Sequence, residues 1–389
     1  MMSPMLRLLT AGESHGKGLV AVLEGLPAGV PYSSEALARE LARRRAGHGR
    51  GGRQRFEADS FRVLSGVRHG LTIGSPVAVV IPNVEFEEKY SVLMAAEGSM
   101  DPADRLTRPR PGHADLAGAL KYGFDDVRNV LERASARETA ARVAAGWFCR
   151  SLLEELGVQV LSHVVQIGRV KAPARHRPPA PADVPAIESS PVRCADPKAS
   201  KAMVAEIDGR RKAKDTVGGV FEVVAYGVPA GVGSHVHFDR KLDARLAAAL
   251  MSIQSVKGVE VGDGFASAAR PGSRAHDEIV LDRSGRLARK TGRAGGIEGG
   301  MSTGQPIRLR AAMKPFSTVP QPLDTVDLVT REPAKAIKQR TDVCAVPAGG
   351  VVGEAVTAFV LADAMLEKFG GDSLPETRSN MDRYLEALP

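Results

Sequence analysis

The chain has 389 residues, 43% of them hydrophobic and 25% charged, and its 53 Lys and Arg against 45 Asp and Glu leave a net charge of +8. That balance fits an ordinary globular protein with anionic partners, whether nucleic acid, anionic membrane or small phosphates. It does not fit a membrane-spanning chain, because apolar stretches such as VAVVI (residues 77–81) are too short to cross a bilayer.

The three cysteines, Cys149, Cys194 and Cys344, are scattered and form no C-x-x-C pair. A disulfide framework and a cysteine zinc site are therefore not expected, and the pattern suits reduced thiols in the cytoplasm. The first sixteen residues hold no apolar run long enough for a signal peptide.

In chain order, residues 6–10 and 19–23 read as short strands around GESHG (residues 12–16). Ser33 or Ser34 can cap a helix over SEALARELARRR, whose final arginines suit a negative helix end and which stops at Gly47. A basic glycine loop, GHGRGGR (residues 47–53), follows. Residues 133–157 give the longest helix expected, and Asp196-Pro197 opens another to about Ala213. Residues 241–253 and 352–369 complete the helices. Residues 172–192 carry six prolines and read as a surface excursion, since missing N–H groups suit neither helix nor sheet. GVRHGLTIGSPV (residues 66–77) aligns without a gap on GIEGGMSTGQPI (residues 296–307), matching three glycines and a proline. The match predicts a duplicated strand–turn–strand unit and internal pseudo-symmetry.

GESHG also fits G-x-S-x-G, the nucleophile elbow of serine hydrolases. The elbow needs a helix after its serine, whereas KGLVAVLEGLP alternates as a strand. No Asp-then-His order follows, so a hydrolase is rejected. Glycines flanking Ser14 and His15 suit close approach to a phosphate and a proton transfer to it. RPRPGHAD (residues 108–115) sets His113 after two arginines, RTDVCAVPAGG (residues 340–350) sets Arg340 and Asp342 before a glycine pair, and MKPFSTVP offers Lys314, Ser317 and Thr318. Arginine forks and glycine turns at helix starts bind phosphate and carboxylate. Neither a P-loop nor a Rossmann fingerprint occurs. Residue types alone thus indicate a multi-arginine, two-histidine site for a small polyanion.

In this order the motifs resemble those of the chorismate synthase family: GESHG, RRRAGHGRGGR, RPGHAD, RASARET, QSVKGVEVGDGF, GGIEGGMSTGQPI, MKPFST and RTDVCAVPA, spread over residues 6–371. The resemblance implies an α/β (α+β) sandwich with helices packed between sheets, one domain over residues 1–389, and a homotetramer. Insertions are expected at 84–105, 172–192 and 266–293, the last as a lid or a plain surface insertion. It implies a lyase that removes phosphate from 5-enolpyruvylshikimate 3-phosphate to give chorismate, the last common step toward the aromatic amino acids. The implied cofactor is a flavin of the FMN/FAD class, reduced FMN (FMNH2), with no net redox change. NADPH or a separate flavin reductase would supply the electrons.

Residue by residue, the resemblance gives His15 protonation of the leaving phosphate, His113 an interaction with the flavin ring, and Asp342 a place near flavin N5. It places Ser14, Arg44, Arg50, Arg137 and Arg340 on the substrate, with Arg44 and Arg50 also linked to NADP. FMN contacts fall on Arg133, Ala134, Ser135, Gln254, Ser255, Gly299, Lys314, Pro315, Phe316, Ser317, Thr318 and Arg340. Phe316 departs from the smaller or polar residue common there. A nucleic-acid binder fits the charge but not the 4% aromatics. A non-catalytic flavin binder is argued against by the intact His15, His113 and Asp342.

Overall fold

The structure is a computed structural model that describes residues 5–51, 59–174, 177–337 and 341–388. Arg340, assigned above to substrate and flavin, lies outside these residues, as do residues 52 and 53 of the basic loop.

Strands β1 (Arg7–Gly12), β2 (Gly18–Glu24), β3 (Arg62–Ser65) and β6 (Val77–Pro82) form an antiparallel sheet in the order β1-β2-β6-β3. Alternation puts Leu19, Ala21 and Leu23 of β2, and Val77, Val79 and Ile81 of β6, on the buried face. Between β3 and β6 lies a two-stranded hairpin, β4 (Val67–Arg68) with β5 (Leu71–Thr72). The second sheet uses β7 (Gln159–Ile167), β8 (Val170–Lys171), β9 (Gly219–Tyr226), β10 (Val256–Val261) and β15 (Ile307–Met313). Its order is β10-β15-β9-β7-β8. Between β10 and β15 come two hairpins, β11 (Ile279–Leu281) with β12 (Leu287–Arg289) and β13 (Ile297–Glu298) with β14 (Met301–Ser302).

The expected duplication is present. Gly66, Gly70 and Gly74 have φ of 84°, 77° and 79°, and Gly296, Gly300 and Gly304 have 77°, 85° and 82°. Each repeat turns its hairpin through two residues of positive φ, His69-Gly70 and Gly299-Gly300, as a two-residue hairpin turn requires. The repeat reaches further than the twelve aligned residues. Thr72 Oγ1 accepts from Val30 N–H and donates to Pro27 O, while Ser302 Oγ accepts from Val232 N–H and donates to Pro229 O. Those partners lie in matching segments, Leu-Pro-Ala-Gly-Val and Val-Pro-Ala-Gly-Val. The order β1-β2-β6-β3 is thus repeated as β7-β9-β15-β10.

Helices fill the space between the sheets. The main ones are α1 (Ser34–Arg45), α2 (Asp115–Tyr122), α3 (Arg128–Ala134), α4 (Thr139–Glu155), α5 (Pro197–Lys212), α6 (Leu242–Met251), α7 (Val346–Phe369) and α8 (Leu374–Glu386). α4 packs on the first sheet and α7 on the second, and the two helices touch each other. Small residues set this closeness. A Cβ on Gly146 would lie 2.6 Å from that of Ala355, and one on Gly353 would lie 2.7 Å from the Phe221 ring. α7 has mean hydropathy 1.5 over an 18-residue window that is 94% buried. It is the core helix.

Three expectations need correction. The longest helix is α7, which starts at Val346 and not at residue 352, and Gly349, Gly350 and Gly353 in its first turns are close packing contacts against Met313, Ser162 and Phe221. The helix expected over residues 133–157 breaks at Ser135, whose side chain caps the short turn Ala136–Glu138 before α4 begins. The proline-rich excursion holds a short helix, Val184–Ser189, with Ile187 buried and Pro185 in its first turn, where a missing N–H costs nothing.

Candidate active site

GESHG joins β1 to β2 across an antiparallel pair, with no helix behind Ser14. The loop opens onto a cleft of about 510 Å³ whose far walls are the Phe316–Thr318 loop, Thr341 and Asp342, and the first turn of α7. That turn presents the positive end of a 24-residue helix to the cavity. Both ends of the chain therefore meet in one site.

His15 is anchored by Glu132, a residue of α3 that motif reading passed over. Glu132 Oε2 accepts the His15 backbone N–H at 2.8 Å, and Nδ1 lies 2.9 and 3.0 Å from the two carboxylate oxygens. Glu132's backbone oxygen accepts from Ser14 N–H at 3.0 Å, and Ser135 Oγ donates to Ser14 Oγ at 3.1 Å. The Tyr90 ring covers the imidazole at 4.4 Å between centroids. Tyr90 and Leu93 both line the cleft, so segment 84–105 is a wall of the site. The 266–293 segment carries β11 and β12 and contributes no residue to the cleft lining.

A cluster of arginines surrounds Asp59. Arg44 donates to Oδ2 at 2.8 Å, Arg45 Nε lies 3.4 Å away, and Arg137 binds Oδ1 while its Nε donates to Asn83. Burial would raise the Asp59 carboxyl, but Arg44 and Arg137 hold it below the ordinary carboxylate range. Burial lowers Arg44, and the nearby charges of Arg137 and Arg50 push the same way against Asp59. Among the described residues three guanidiniums gather on this one carboxylate, a density of positive charge that suits a bound anion. Opposite, Arg50 pairs with Asp342 at 2.6 Å, and Gly51 N–H donates to the same carboxylate at 2.6 Å.

His113 has its own carboxylate. Its Nδ1 pairs with Asp115, which also receives Arg110 Nε at 2.8 Å, and Arg110 Nη1 donates to Thr318 Oγ1 at 3.0 Å. Burial acts to raise Asp115, but hydrogen bonds from His113 and Arg110 take it well below the usual range.

Of the residues expected at the site, Ser14, His15, Arg44, Arg50, His113, Ser135, Arg137, Gln254, Phe316, Ser317, Thr318 and Asp342 line the cleft. Arg133, Ala134, Ser255, Gly299, Lys314 and Pro315 are not among the lining residues. Arg133 instead clamps β1, donating to Thr10 O and Gly12 O. Lys314 Nζ holds Gly112 O, next to His113, and its backbone N–H donates to Ser255 O at 2.9 Å. Ser255 takes the left-handed region at φ 70°, and Gly299 lies in the β13–β14 turn.

The chain matches the family model for chorismate synthase over residues 6–366. It belongs to the chorismate synthase family. Curated chorismate synthases from Streptomyces avermitilis and Acidothermus cellulolyticus are each 61% identical to it, over 98% and 99% of both chains respectively. One from Mycolicibacterium paratuberculosis is 60% identical over 100% of this chain and 97% of its own. A crystal structure of a chorismate synthase superposes with a TM-score of 0.78 at 40% identity, over 98% of this chain and 97% of that one. The α+β architecture and the activity follow. This chorismate synthase family member is a phosphate-eliminating lyase acting on a small molecule, in aromatic amino-acid biosynthesis.

Several residues that shape this chorismate synthase cleft were not singled out in the sequence. Arg128 and Tyr90 line it, and Asp59 and Glu132 hold residues that do. Arg110 and Asp115 stood inside a quoted motif, where their pairing was not visible. Glu132 immediately precedes the RASARET motif.

Proposed function

We propose that the cleft binds 5-enolpyruvylshikimate 3-phosphate beside reduced FMN and that His15 protonates the departing phosphate. The observation carrying this reading is the convergence of His15, His113 and five guanidiniums, Arg44, Arg50, Arg110, Arg128 and Arg137, on one cavity. Among the described residues, Arg44 Nε, Arg50 Nε, Arg128 Nε and Gln254 Oε1 are buried without a hydrogen-bond partner. Such groups are costly unless a ligand completes them. Three donors and one acceptor suit phosphates, carboxylates and a polar ring edge, so the residues fit both a polyanionic substrate and a flavin phosphate.

Ser135, Gln254 and Phe316 to Thr318 would hold the flavin. Reduced FMN supplies an electron-rich ring beside the substrate, and the reaction has no net redox change. Arg44 and Arg137, steadied by Asp59, would bind the substrate phosphate and stabilise the charge that grows on it as the C–O bond breaks. Arg50 orients Asp342, which would accept and pass on the proton removed from the ring. His113, fixed by Asp115, would face the flavin.

A homotetramer in the cytoplasm belongs to the same proposal. It is supported by Leu9 and Leu64, 68% and 62% exposed on the open face of the first sheet, and by three buried free thiols. The test is an anaerobic assay with the substrate and chemically reduced FMN, with oxidised FMN and with NADPH plus oxidised FMN as separate arms. Chorismate should form with reduced flavin and not with oxidised flavin. His15→Ala or His113→Ala should lower turnover by roughly 10²–10⁴-fold, and near-normal rates in both would overturn the assignment.

A further inference from the structure

We infer that Glu132 is a positioning residue for proton transfer by His15, an inference that rests on the reading of His15 as the general acid. One side chain fixes both the backbone and the ring of this histidine. Glu132 Oε2 takes the His15 amide at 2.8 Å, and both oxygens stand within 3.0 Å of Nδ1. The carboxylate is 1% exposed against 15% for the imidazole. Glu132 is therefore buried while the ring it holds remains at the cleft wall. The backbone oxygen of Glu132 adds a third tie through Ser14 N–H. Tyr90 covers one face of the ring, so rotation about the side chain is blocked by packing and by hydrogen bonds together.

The chemical consequence follows from which nitrogen is held. A carboxylate accepts and does not donate, so the proton on Nδ1 stays between His15 and Glu132. Transfer to a ligand falls to Nε2. In the proposed step the Nε2–H bond breaks and an O–H bond forms on the leaving phosphate. The substrate C–O bond breaks, and its electron pair departs with the phosphate. The pair of the ring C–H bond, whose proton Asp342 would accept, becomes the new C=C bond. The imidazole becomes neutral with its remaining proton on Nδ1, facing Glu132. Glu132 exchanges no proton and touches no reacting atom. Its role is orientation and charge, as with the carboxylate behind a catalytic histidine elsewhere. Arg128, one turn earlier on α3, reaches Glu132 Oε1 at 3.9 Å. It supports the carboxylate from the side away from His15's amide.

The experiment compares Glu132→Gln, His15→Ala and the double variant of the full chain with chemically reduced FMN under anaerobic conditions. Glutamine keeps one acceptor for the His15 amide but turns a donor or a neutral oxygen toward Nδ1. The single E132Q variant should lose about 10–100-fold in kcat, with KM for the substrate and affinity for FMN nearly unchanged. In the H15A background the same change should cost nothing further, because the group it positions is gone.

Wild-type kcat in E132Q, or a loss that adds fully to that of H15A, overturns the inference about Glu132. Near-normal turnover in H15A overturns the reading of His15 itself, so the two failures are distinguishable. Nitrogen-15 spectra of the wild-type imidazole supply a readout needing no variant. A proton on His15 Nδ1 at neutral pH is expected, and a neutral ring protonated only on Nε2 would overturn the inference.

Discussion

The two repeats share a scaffold and differ in what hangs from it. In the first sheet the outward row across β1, β2, β6 and β3 reads Ala11, Val20, Val80, Arg62. The matching row of the second sheet reads His163, Glu222, Arg310, Glu260. Burial would raise the Glu222 carboxyl, but His163 and Arg310 pull it below its ordinary value. The same strand order thus tolerates an apolar or a charged outer row, which shows that the inner face specifies the fold. The connections diverge further. Gly66 alone joins β3 to β4, whereas residues 262–296 separate β10 from β13. Residues 83–138 of the first repeat bring Tyr90, Arg110, His113, Arg128 and Arg137 to the cleft, and residues 314–345 of the second bring Phe316, Ser317, Thr318 and Asp342. Repeated parts carry stability, and unrepeated connections carry chemistry.

Breaking the join between the repeats should have the largest effect. Glu354 of α7 is 2% exposed and binds Arg43 from α1, Arg150 from α4 and Arg193. Glu354→Gln leaves three guanidiniums around a neutral amide and should cost about 3–5 kcal/mol in urea unfolding. Burial would raise this carboxyl, but the arginines hold it far below its ordinary 4.5. A depressed carboxylate contributes stability fully above its unfolded value and loses it as pH falls. Wild type should therefore weaken steadily below pH 4.5, and E354Q should lose that part of the acid dependence. A variant as acid-sensitive as wild type would place the sensitivity elsewhere.

The repeated hydroxyls test whether the scaffold is equivalent in its two halves. Thr72 and Ser302 are 3% and 4% exposed and make the same pair of bonds to matching backbone atoms. Thr72→Val and Ser302→Ala each strand a buried amide and should each cost about 1–3 kcal/mol. Similar losses would confirm that the two turns bear load alike. A loss in only one would show that its neighbours had taken over the hydroxyl's work.

Much of the site was visible in the sequence because its basic and histidine residues sit in glycine-rich loops with few structural reasons to exist. His15 and His113 stand far apart in the chain yet each directly adjoins a glycine, and Asp342 lies in the stretch that runs into the Gly349-Gly350 pair. Their carboxylate partners did not, since Asp59 and Glu132 look like any surface acid until folding buries them. The split between α3 and α4 was hidden as well. RASARET holds neither Gly nor Pro, and the break comes from Ser135 capping the next turn with its own side chain. The second proline–glycine segment at 229–232 was legible in principle. It escaped because only its hairpin, seventy residues away in the chain, was aligned.

Gly299 offers the smallest and most selective test. It occupies the first turn position of the β13–β14 hairpin at φ 60°, and its counterpart His69 holds φ 50° with a side chain in place. A Cβ at Gly299 would meet no atom within 4 Å. Gly299→Asn should therefore cost no more than about 1–2 kcal/mol, the penalty of a side chain in the left-handed region. FMN affinity of the variant should stay close to wild type, because this turn contributes nothing to the cleft lining of its own chain. A loss beyond about tenfold, equal to about 1.4 kcal/mol, would exceed any effect reaching the cleft through the scaffold. It would put the turn against a flavin bound by another copy, and the second repeat's hairpin would then serve function where the first repeat's serves the fold alone.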